Sequence, residues 1–265
     1  MTYFEQAIVR TPCDRFSEGI TPELLGKADA SLARVHHQGY IDALKASGVK
    51  VTVLESLNDF PDSCFVEDSA IVTKRVAIMT RFTAPSRSGE SPLMREVIEG
   101  IYGSHIEAIQ APGNVEGGDI CRAGDHFLIG LSSRTNEEGA RQLAEILKKY
   151  GFTSSTINIR PHGFILHLST ALSYLGNNTF ILMPELANEP ALEKYTQLVV
   201  KPEERYASNC IRVNDAVIFP AGFPNAIAQV EAAGFKVRPV ETSEFQKQDG
   251  GLSCLSLRIP PLHLN

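Results

Sequence analysis

The chain has 265 residues, of which 43% are hydrophobic and 21% are charged, and its formal net charge is −6. This composition is typical of a globular protein with a full-sized core, and its short basic runs disfavour a nucleic-acid partner. The sequence contains no window long and apolar enough for a membrane span, and its first residues do not resemble a signal peptide. We therefore expect a cytoplasmic protein with no membrane partner and no nucleic-acid partner.

The cysteines and histidines follow none of the spacings typical of metal sites or disulfide frameworks. The five cysteines form an odd set without a C-x-x-C pair, and the seven histidines include no H-x-x-x-H pair. No glycine-rich phosphate-binding motif follows a predicted strand. We expect free thiols, no metal and no cofactor.

The predicted elements recur in a similar order along the chain. A strand at 5–10, a helix at 30–47 and a strand at 50–54 come first. Later units begin near residues 68, 119, 170 and 210, and a last strand is predicted at 254–257. Within these units we predict strands at 76–80, 126–130, 156–159, 171–175, 179–183, 210–213, 216–219 and 236–240, and helices at 136–150 and 225–233.

The spacing of these units favours a radial assembly. Their onsets lie about 40 to 50 residues apart, a period at which stacked or ring-shaped repeats are considered. The simpler alternative is the ordinary alternation of strands and helices in an α/β protein, but hairpins inside each unit do not suit a doubly wound parallel sheet. We predict one domain, residues 1–265, in which five units close a ring and both chain ends complete the last unit.

Acidic residues cluster in the loop that leads into the first of these units. Asp62, Glu67 and Asp68 stand close to Phe65 within residues 60–68. A solvated acidic loop is the commoner interpretation of such a run. Carboxylates beside an aromatic ring also match a planar cation, because a guanidinium pairs with carboxylates in bidentate fashion and stacks on aromatic faces.

Three further residues carry potential chemistry. Glu116 lies among glycines in residues 111–119, His167 stands between two leucines, and Cys254 follows a Gly-Gly pair. Each has a simpler interpretation, as a rim charge, a half-buried histidine or a small buried hydrophobic residue. We expect the paired glycines to adopt positive φ and bring the backbone close to a ligand. In a radial assembly the units begin at the same end, so Asp68, Glu116, His167 and Cys254 should converge near the axis.

Four strings, FPDSCFVED, GNVEGGD, LHLST and DGGLSC, occur in this order over nearly the whole chain. They closely resemble the dimethylarginine dimethylaminohydrolases of the guanidino-group-modifying, or pentein, superfamily. The resemblance implies an α/β fold, a five-bladed propeller of ββαβ units. It also implies that Cys254 is the nucleophile, His167 the general acid/base and Glu116 the acid that accompanies this histidine.

The same resemblance implies a set of substrate-binding residues. Asp62 and Asp68 correspond to guanidinium-side carboxylates, Arg87 and Arg134 to the arginines that bind the substrate carboxylate, and Ile20 to a mobile lid. Glu67 and Phe65 correspond to further pocket residues, and Gln248 and Asp249 border the nucleophile. Ile20 departs from the leucine that related enzymes can carry, and the tail at 260–265 has no assignable role.

The implied reaction is hydrolysis of Nω-methylated L-arginine to L-citrulline and methylamine or dimethylamine, through a covalent thiouronium on Cys254. The partner is then a small-molecule substrate, no metal takes part, and we allow for a homodimer. Arginine deiminase and amidinotransferase activities share this chemistry and remain open. A relative that binds guanidino ligands without turnover is the alternative from a different class.

Overall fold

Five small sheets of three strands each form the β-structure of the computed structural model, which describes residues 3–22 and 24–264. In each sheet an antiparallel pair is followed, after a crossover, by a third strand parallel to its neighbour. The strands are β1 (Gln6–Arg10), β2 (Lys50–Leu54), β3 (Ala70–Val72), β4 (Ala77–Met79), β5 (Ile106–Ala108), β6 (Ile120–Ala123), β7 (His126–Leu131), β8 (Thr153–Asn158), β9 (Leu172–Gly176), β10 (Thr179–Leu182), β11 (Thr196–Val199), β12 (Ile211–Val213), β13 (Ala216–Pro220), β14 (Lys236–Val240) and β15 (Leu257–Ile259).

Helices form the crossovers of four of these sheets. The α-helices are α1 (Ala30–Ala46), α2 (Glu90–Tyr102), α3 (Glu137–Lys149), α4 (Leu168–Ala171), α5 (Pro224–Ala232) and α6 (Ser243–Gln246). Helix α3 begins at Glu137, one residue after the predicted start, because the Asn136 side chain caps it, accepting the backbone N–H of Gly139 at 2.8 Å. None of the helices in the described ranges combines the length and apolar character needed to cross a bilayer.

The sheet of β9, β10 and β11 has no long helix in its crossover. Two 3-10 turns, Pro184–Leu186 and Pro190–Leu192, take its place. Proline is tolerated at the start of a helical turn but breaks a helix interior. The two prolines therefore limit this crossover to short turns, and the ββαβ pattern is incomplete here.

The five sheets form the blades of a closed propeller. Strand β1 pairs with both β15 and β2, so the two ends of the chain share one sheet. The first strands of neighbouring blades contact each other: β15 contacts β3, and β9 contacts both β6 and β12. These first strands, β3, β6, β9, β12 and β15, together line an axial cavity of about 160 Å³. The predicted five-bladed α/β-propeller is confirmed.

Apolar side chains pack each blade against its neighbour. One buried cluster, for example, contains Ile78 of β4 and Leu143 of α3, together with Val115, Phe127 and Phe152. Each large apolar side chain removed from water contributes roughly 1.5–3 kcal/mol. This packing fixes the relative positions of the blades, and with them the turns that lie at the end of the axial cavity.

A helical turn precedes the first strand of every blade. These turns are Val66–Ser69, Gly117–Asp119, α4, Pro202–Ser208 and Ser253–Leu255. The strand predicted at 254–257 is therefore wrong at its start, since β15 begins at Leu257 and Cys254 lies in the turn. The Asn209 side chain holds that turn by accepting the backbone N–H of Ser253 at 2.9 Å.

Candidate active site

A pocket of about 40 Å³ lies at one end of the axial cavity, between the turns that precede the first strands. Ten of the twelve residues proposed from the sequence line it, and Glu116 and Glu67 do not. The lining residues are Ile20, Asp62, Phe65, Asp68, Arg87, Arg134, Leu166, His167, Gln248, Asp249, Gly250 and Cys254. The blades thus bring together residues that are up to 234 positions apart in the sequence, from Ile20 to Cys254 (254 − 20).

His167 stands at the N-cap of α4, and its ring faces three carboxylates. Its Nδ1 lies 3.4 Å from Oδ2 of Asp119, and its Nε2 lies 3.6 Å from Oε2 of Glu116 and 3.9 Å from Oδ1 of Asp68. Burial opposes protonation of the ring, but the charges of Asp119, Asp68 and Glu116 outweigh it and raise the pKa of His167 to about 9. The imidazole is therefore protonated at neutral pH.

Asp119 is a site residue that the sequence reasoning did not select. This wholly buried carboxylate accepts the hydroxyls of Ser132 at 2.6 Å and Thr135 at 2.7 Å, and the backbone N–H of Leu168 at 3.1 Å. These bonds fix Asp119 on the Nδ1 side of His167 and leave Nε2 directed at the other two carboxylates. The signal was present in the string GNVEGGD, whose last residue is Asp119.

Glu116 is wholly buried and only half satisfied. Its Oε1 accepts the backbone N–H of Thr83 at 3.0 Å, while Oε2 has no hydrogen-bond donor among the described residues and lies 3.7 Å from Arg134. Burial and the neighbouring charge of Asp68 raise the pKa of Glu116. An unpaired buried carboxylate oxygen is costly, and an N–H of a bound cation would satisfy it.

Asp68 and Arg87 form a buried ion pair at the pocket wall. An Arg87 nitrogen donates to Oδ2 of Asp68 at 2.7 Å, and Arg87 also donates to Glu90 at 2.8 and 2.9 Å. Burial works against ionised Asp68, but Arg87 and His167 outweigh it and keep the pKa of Asp68 below its usual value. Both predicted carboxylate-binding arginines, Arg87 and Arg134, line the pocket.

Cys254 is 92% buried, with 8% of its surface exposed. Its Sγ accepts the backbone N–H of Gly251 at 3.5 Å and lies 3.9 Å from Oγ of Ser253. Burial, together with the charges of Glu67 and Asp68, raises the pKa of Cys254 to about 12. The thiol is therefore neutral at neutral pH.

The two glycines before Cys254 have a different role from the one predicted. Positive φ occurs at Asp249, at 54°, and neither Gly250 nor Gly251 adopts it. A Cβ on Gly250 would lie 2.3 Å from the Phe65 ring, and one on Gly251 would lie 2.4 Å from the Asn209 side chain. The expectation of positive φ was wrong, because these glycines are required by close packing of the turn.

The remaining predicted residues surround the mouth of the pocket. Asp62 accepts the backbone N–H of Ile20 through both oxygens at 3.2 Å, which holds the segment around Ile20 over the site. Burial raises the pKa of Asp62 despite nearby Arg87. Gln248 is buried, and its Oε1 has no donor within the part of the chain that the structure describes.

Glu67 lies outside the pocket, although its neighbour Asp68 lines it. Its side chain lines the axial cavity, where Oε1 accepts a hydrogen bond from Arg258 at 3.1 Å. The two residues diverge because residues 66–69 form a 3-10 turn, in which adjacent side chains point in different directions.

Asp68, Glu116 and His167 bring one oxygen or nitrogen atom each within 4.8 Å of one another. Arg87 is bonded to Asp68, and Arg134 lies near Glu116. Two guanidinium groups therefore lie beside the carboxylates of this cluster. Oε2 of Glu116, which has no hydrogen-bond donor among the described residues, can accept an N–H group of a bound ligand.

A five-bladed α/β-propeller with a cysteine, a histidine and paired acids at the end of its axis is the architecture of guanidino-group-modifying enzymes. The arginine deiminase family model matches residues 56–208. The chain is 44% identical to the N(G),N(G)-dimethylarginine dimethylaminohydrolase of Pseudomonas aeruginosa over 255 residues, 96% of this chain and 99% of that protein. The chain belongs to the dimethylarginine dimethylaminohydrolase family.

Another relative and a solved structure agree with this assignment. The enzyme of the same name from Streptomyces coelicolor is 30% identical over 260 residues, which cover 98% of each protein. A structure of the Pseudomonas aeruginosa enzyme, a cysteine-to-serine variant in complex with citrulline, superposes with a TM-score of 0.94 at 43% identity. The superposition covers 97% of this chain and 100% of that one.

Proposed function

We propose that this protein hydrolyses Nω-methylated L-arginine to L-citrulline and methylamine or dimethylamine. It is a hydrolase acting on carbon–nitrogen bonds, as its family relatives are named. The observation that supports the proposal is the position of Cys254 and protonated His167 in one small pocket, with the unpaired oxygen Oε2 of Glu116 3.6 Å from Nε2 of His167.

The first half of the reaction begins when the substrate guanidinium binds. Its N–H groups pair with Glu116 and Asp68, which satisfies the free Oε2 of Glu116 and holds the planar cation in line with Cys254. The added positive charge lowers the pKa of the thiol. Cys254 then attacks the guanidinium carbon, since a thiolate is the strongest nucleophile available from side chains near neutral pH.

His167 acts next as general acid. Because its pKa is about 9, it carries the proton that the departing amine requires. Carbon–nitrogen cleavage releases methylamine or dimethylamine and leaves a thiouronium on Cys254. The neutral imidazole then takes a proton from water, and the hydroxide attacks the same carbon. When this intermediate collapses, the carbon–sulfur bond breaks, the new hydroxyl loses its proton to solvent, and citrulline leaves as the thiolate is restored.

The ends of the substrate are held by separate groups. Arg87 and Arg134 supply charge-assisted hydrogen bonds to the α-carboxylate. Asp62, which the resemblance assigns to the guanidinium side, accepts the backbone N–H of the lid residue Ile20. Phe65, Gln248 and Asp249 complete the wall.

The five cysteines are free and buried, which fits a reducing cytoplasm.

Arginine deiminase activity is the second candidate, because the arginine deiminase family model matches residues 56–208. The two activities differ in the leaving group, ammonia or a methylated amine. Space beside the guanidinium nitrogens decides between them.

A substrate panel tests the proposal. We expect citrulline release from dimethylarginine and monomethylarginine with much higher kcat/KM than from arginine. Each reaction is also run with glycine as an alternative amidino acceptor. Turnover of arginine alone would contradict the methylated substrate, and transfer to glycine instead of water would assign an amidinotransferase.

A further inference from the structure

Residues 81–83, which follow β4, lead from one blade towards the next one. Arg81 and Val115 exchange two backbone hydrogen bonds, each 3.2 Å long, and so form a single bridge between the two blades. Val115 directly precedes Glu116 in the chain. This bridge therefore places Thr83 beside a residue of the site, although Thr83 itself does not line the pocket.

Thr83 makes one hydrogen bond to each of two site residues. Its backbone N–H donates to Oε1 of Glu116 at 3.0 Å, and its hydroxyl donates to the backbone carbonyl of Arg134 at 2.9 Å. The first bond engages one carboxylate oxygen and leaves Oε2 as the oxygen without a donor among the described residues. The second bond holds the backbone of Arg134, whose side chain lines the pocket.

Arg134 is also held from the other side of its backbone. Its N–H donates to Oγ of Ser132 at 2.9 Å, and the Ser132 hydroxyl donates to Oδ2 of Asp119 at 2.6 Å. Both peptide groups next to the Arg134 side chain are therefore fixed. One bond leads towards Asp119, which lies on the Nδ1 side of His167, and the other leads to Thr83.

Glu116 is connected to the same Asp119 carboxylate by a second route. Its backbone N–H donates to Oγ1 of Thr135 at 3.2 Å, and the Thr135 hydroxyl donates to Oδ2 of Asp119 at 2.7 Å. Together these hydrogen bonds form a closed cycle. Thr83 is its member from the neighbouring blade, and the other members lie within residues 116–135. Side-chain networks of this kind specify one arrangement when every member is bonded.

We propose that Thr83 is a positioning residue that ties Arg134 to Glu116 and so fixes the separation between the two ends of the substrate site. This inference rests on the proposed function, in which Arg134 binds the α-carboxylate and Glu116 binds the guanidinium. Hydrogen bonds weaken steeply when their distance or angle departs from the optimum. A fixed separation therefore selects the length of the substrate side chain.

Thr83→Ala tests this role, because it removes the hydroxyl and keeps the backbone N–H that donates to Glu116. We expect the KM for dimethylarginine to rise about three- to tenfold, the range for one hydrogen bond, with little change in kcat. Dimethylagmatine lacks the α-carboxylate, so its kcat/KM should remain at the wild-type value. An equal loss with both substrates would indicate a general structural effect and overturn the proposal.

A substrate with one additional methylene tests the fixed separation directly. Wild type should prefer dimethylarginine to dimethylhomoarginine. In Thr83→Ala the ratio of their kcat/KM values should fall about three- to tenfold, because Arg134 can then adjust to the longer side chain. A ratio that stays at the wild-type value would contradict a role of Thr83 in selecting substrate length.

Two further variants are the controls. Thr83→Ser retains a hydroxyl and should keep the wild-type KM, whereas a loss as large as that of Thr83→Ala would contradict the proposal. Thr52→Ala alters an exposed threonine of β2 and should leave KM and kcat unchanged. Because Thr83 is exposed, its alanine variant should unfold near the wild-type midpoint.

The wild-type assay separates this inference from the proposed function. If wild type turns over arginine and no methylated arginine, the proposed function fails. The pair arginine and agmatine then replaces dimethylarginine and dimethylagmatine in the comparison of Thr83→Ala with wild type. A KM increase confined to arginine would still support the role of Thr83, and an equal loss with agmatine would overturn it.

Discussion

His167 is protonated because three carboxylates lie close to its ring nitrogens. The nearest, Asp119, contacts Nδ1 at 3.4 Å and is itself held by two hydroxyls and a backbone N–H. An acid catalyst must retain its proton at the working pH, and a pKa of about 9 ensures this. In the proposed mechanism Asp119 is thus a positioning residue that also sets the charge of His167.

Asp119→Asn should shift the alkaline limb of the pH profile. Removing the negative charge lowers the pKa of His167 from about 9, so kcat should begin to fall at lower pH than in wild type. At pH 8 we expect a loss of about tenfold or more, and a smaller loss at pH 6, where the ring is still protonated.

The matched control for this variant is Ser132→Ala. It removes one hydroxyl that donates to Asp119 but keeps the carboxylate charge. Its alkaline limb should remain near the wild-type position, even though the lost hydrogen bond costs roughly 1 kcal/mol of stability. An unshifted limb in Asp119→Asn would show that this carboxylate does not control the protonation of His167.

The turn that carries Cys254 is shaped by side chains that press against its backbone. Phe65 occupies the place of a Cβ at Gly250, and the ring is itself buried against Phe16 and Phe245. Asn209 does the same at Gly251 and also bonds the backbone of Ser253. The position of the sulfur therefore depends on residues of three different blades.

Gly250→Ala should displace this turn. With a new Cβ 2.3 Å from the Phe65 ring, the backbone must shift, at a cost of about 1–3 kcal/mol in the free energy of unfolding. Displacing the sulfur by even an ångström should lower kcat about 100-fold. Gly163→Ala is the control, because no atom lies within 4 Å of its Cβ. Equal kcat in both variants would contradict the packing argument, as would an unchanged unfolding midpoint in Gly250→Ala.

The order of strands and helices was readable from the sequence, because each hairpin carries its own turn residues and each helix its own apolar face. The strand at 236–240 matches β14, and the predicted helix at 136–150 differs from α3 by one residue at each end. The crossover between β10 and β11 lacks the expected helix, and β15 starts later than predicted. Local sequence patterns do not show which backbone turns result from packing against another blade.

The same limit explains what was missed in the site. Sequence patterns and the family resemblance selected Cys254, His167 and Glu116, yet they passed over Asp119, whose importance lies in a distance to a ring 48 positions away (167 − 119). They also grouped Glu67 with Asp68, since adjacent carboxylates cannot be assigned to separate cavities without the turn geometry.

The closed ring gives the molecule two chemically different ends of one axis. Turns from the blades converge on the pocket, whereas the first strands of all five line the cavity behind it. Ring closure depends on β1, which pairs with β15 directly after the nucleophile turn. The position of Cys254 is therefore tied to both ends of the chain.

Mass spectrometry of enzyme quenched during turnover of dimethylarginine tests whether the buried thiol at the end of this axis attacks a guanidinium carbon. We expect a covalent adduct of the amidino-bearing substrate, mapped to the peptide that contains Cys254, and its absence in Cys254→Ser together with loss of citrulline release. Cys121→Ser, which alters another buried free thiol, should still form the adduct. Full citrulline release by Cys254→Ser, or an adduct mapped to another residue, would contradict the account.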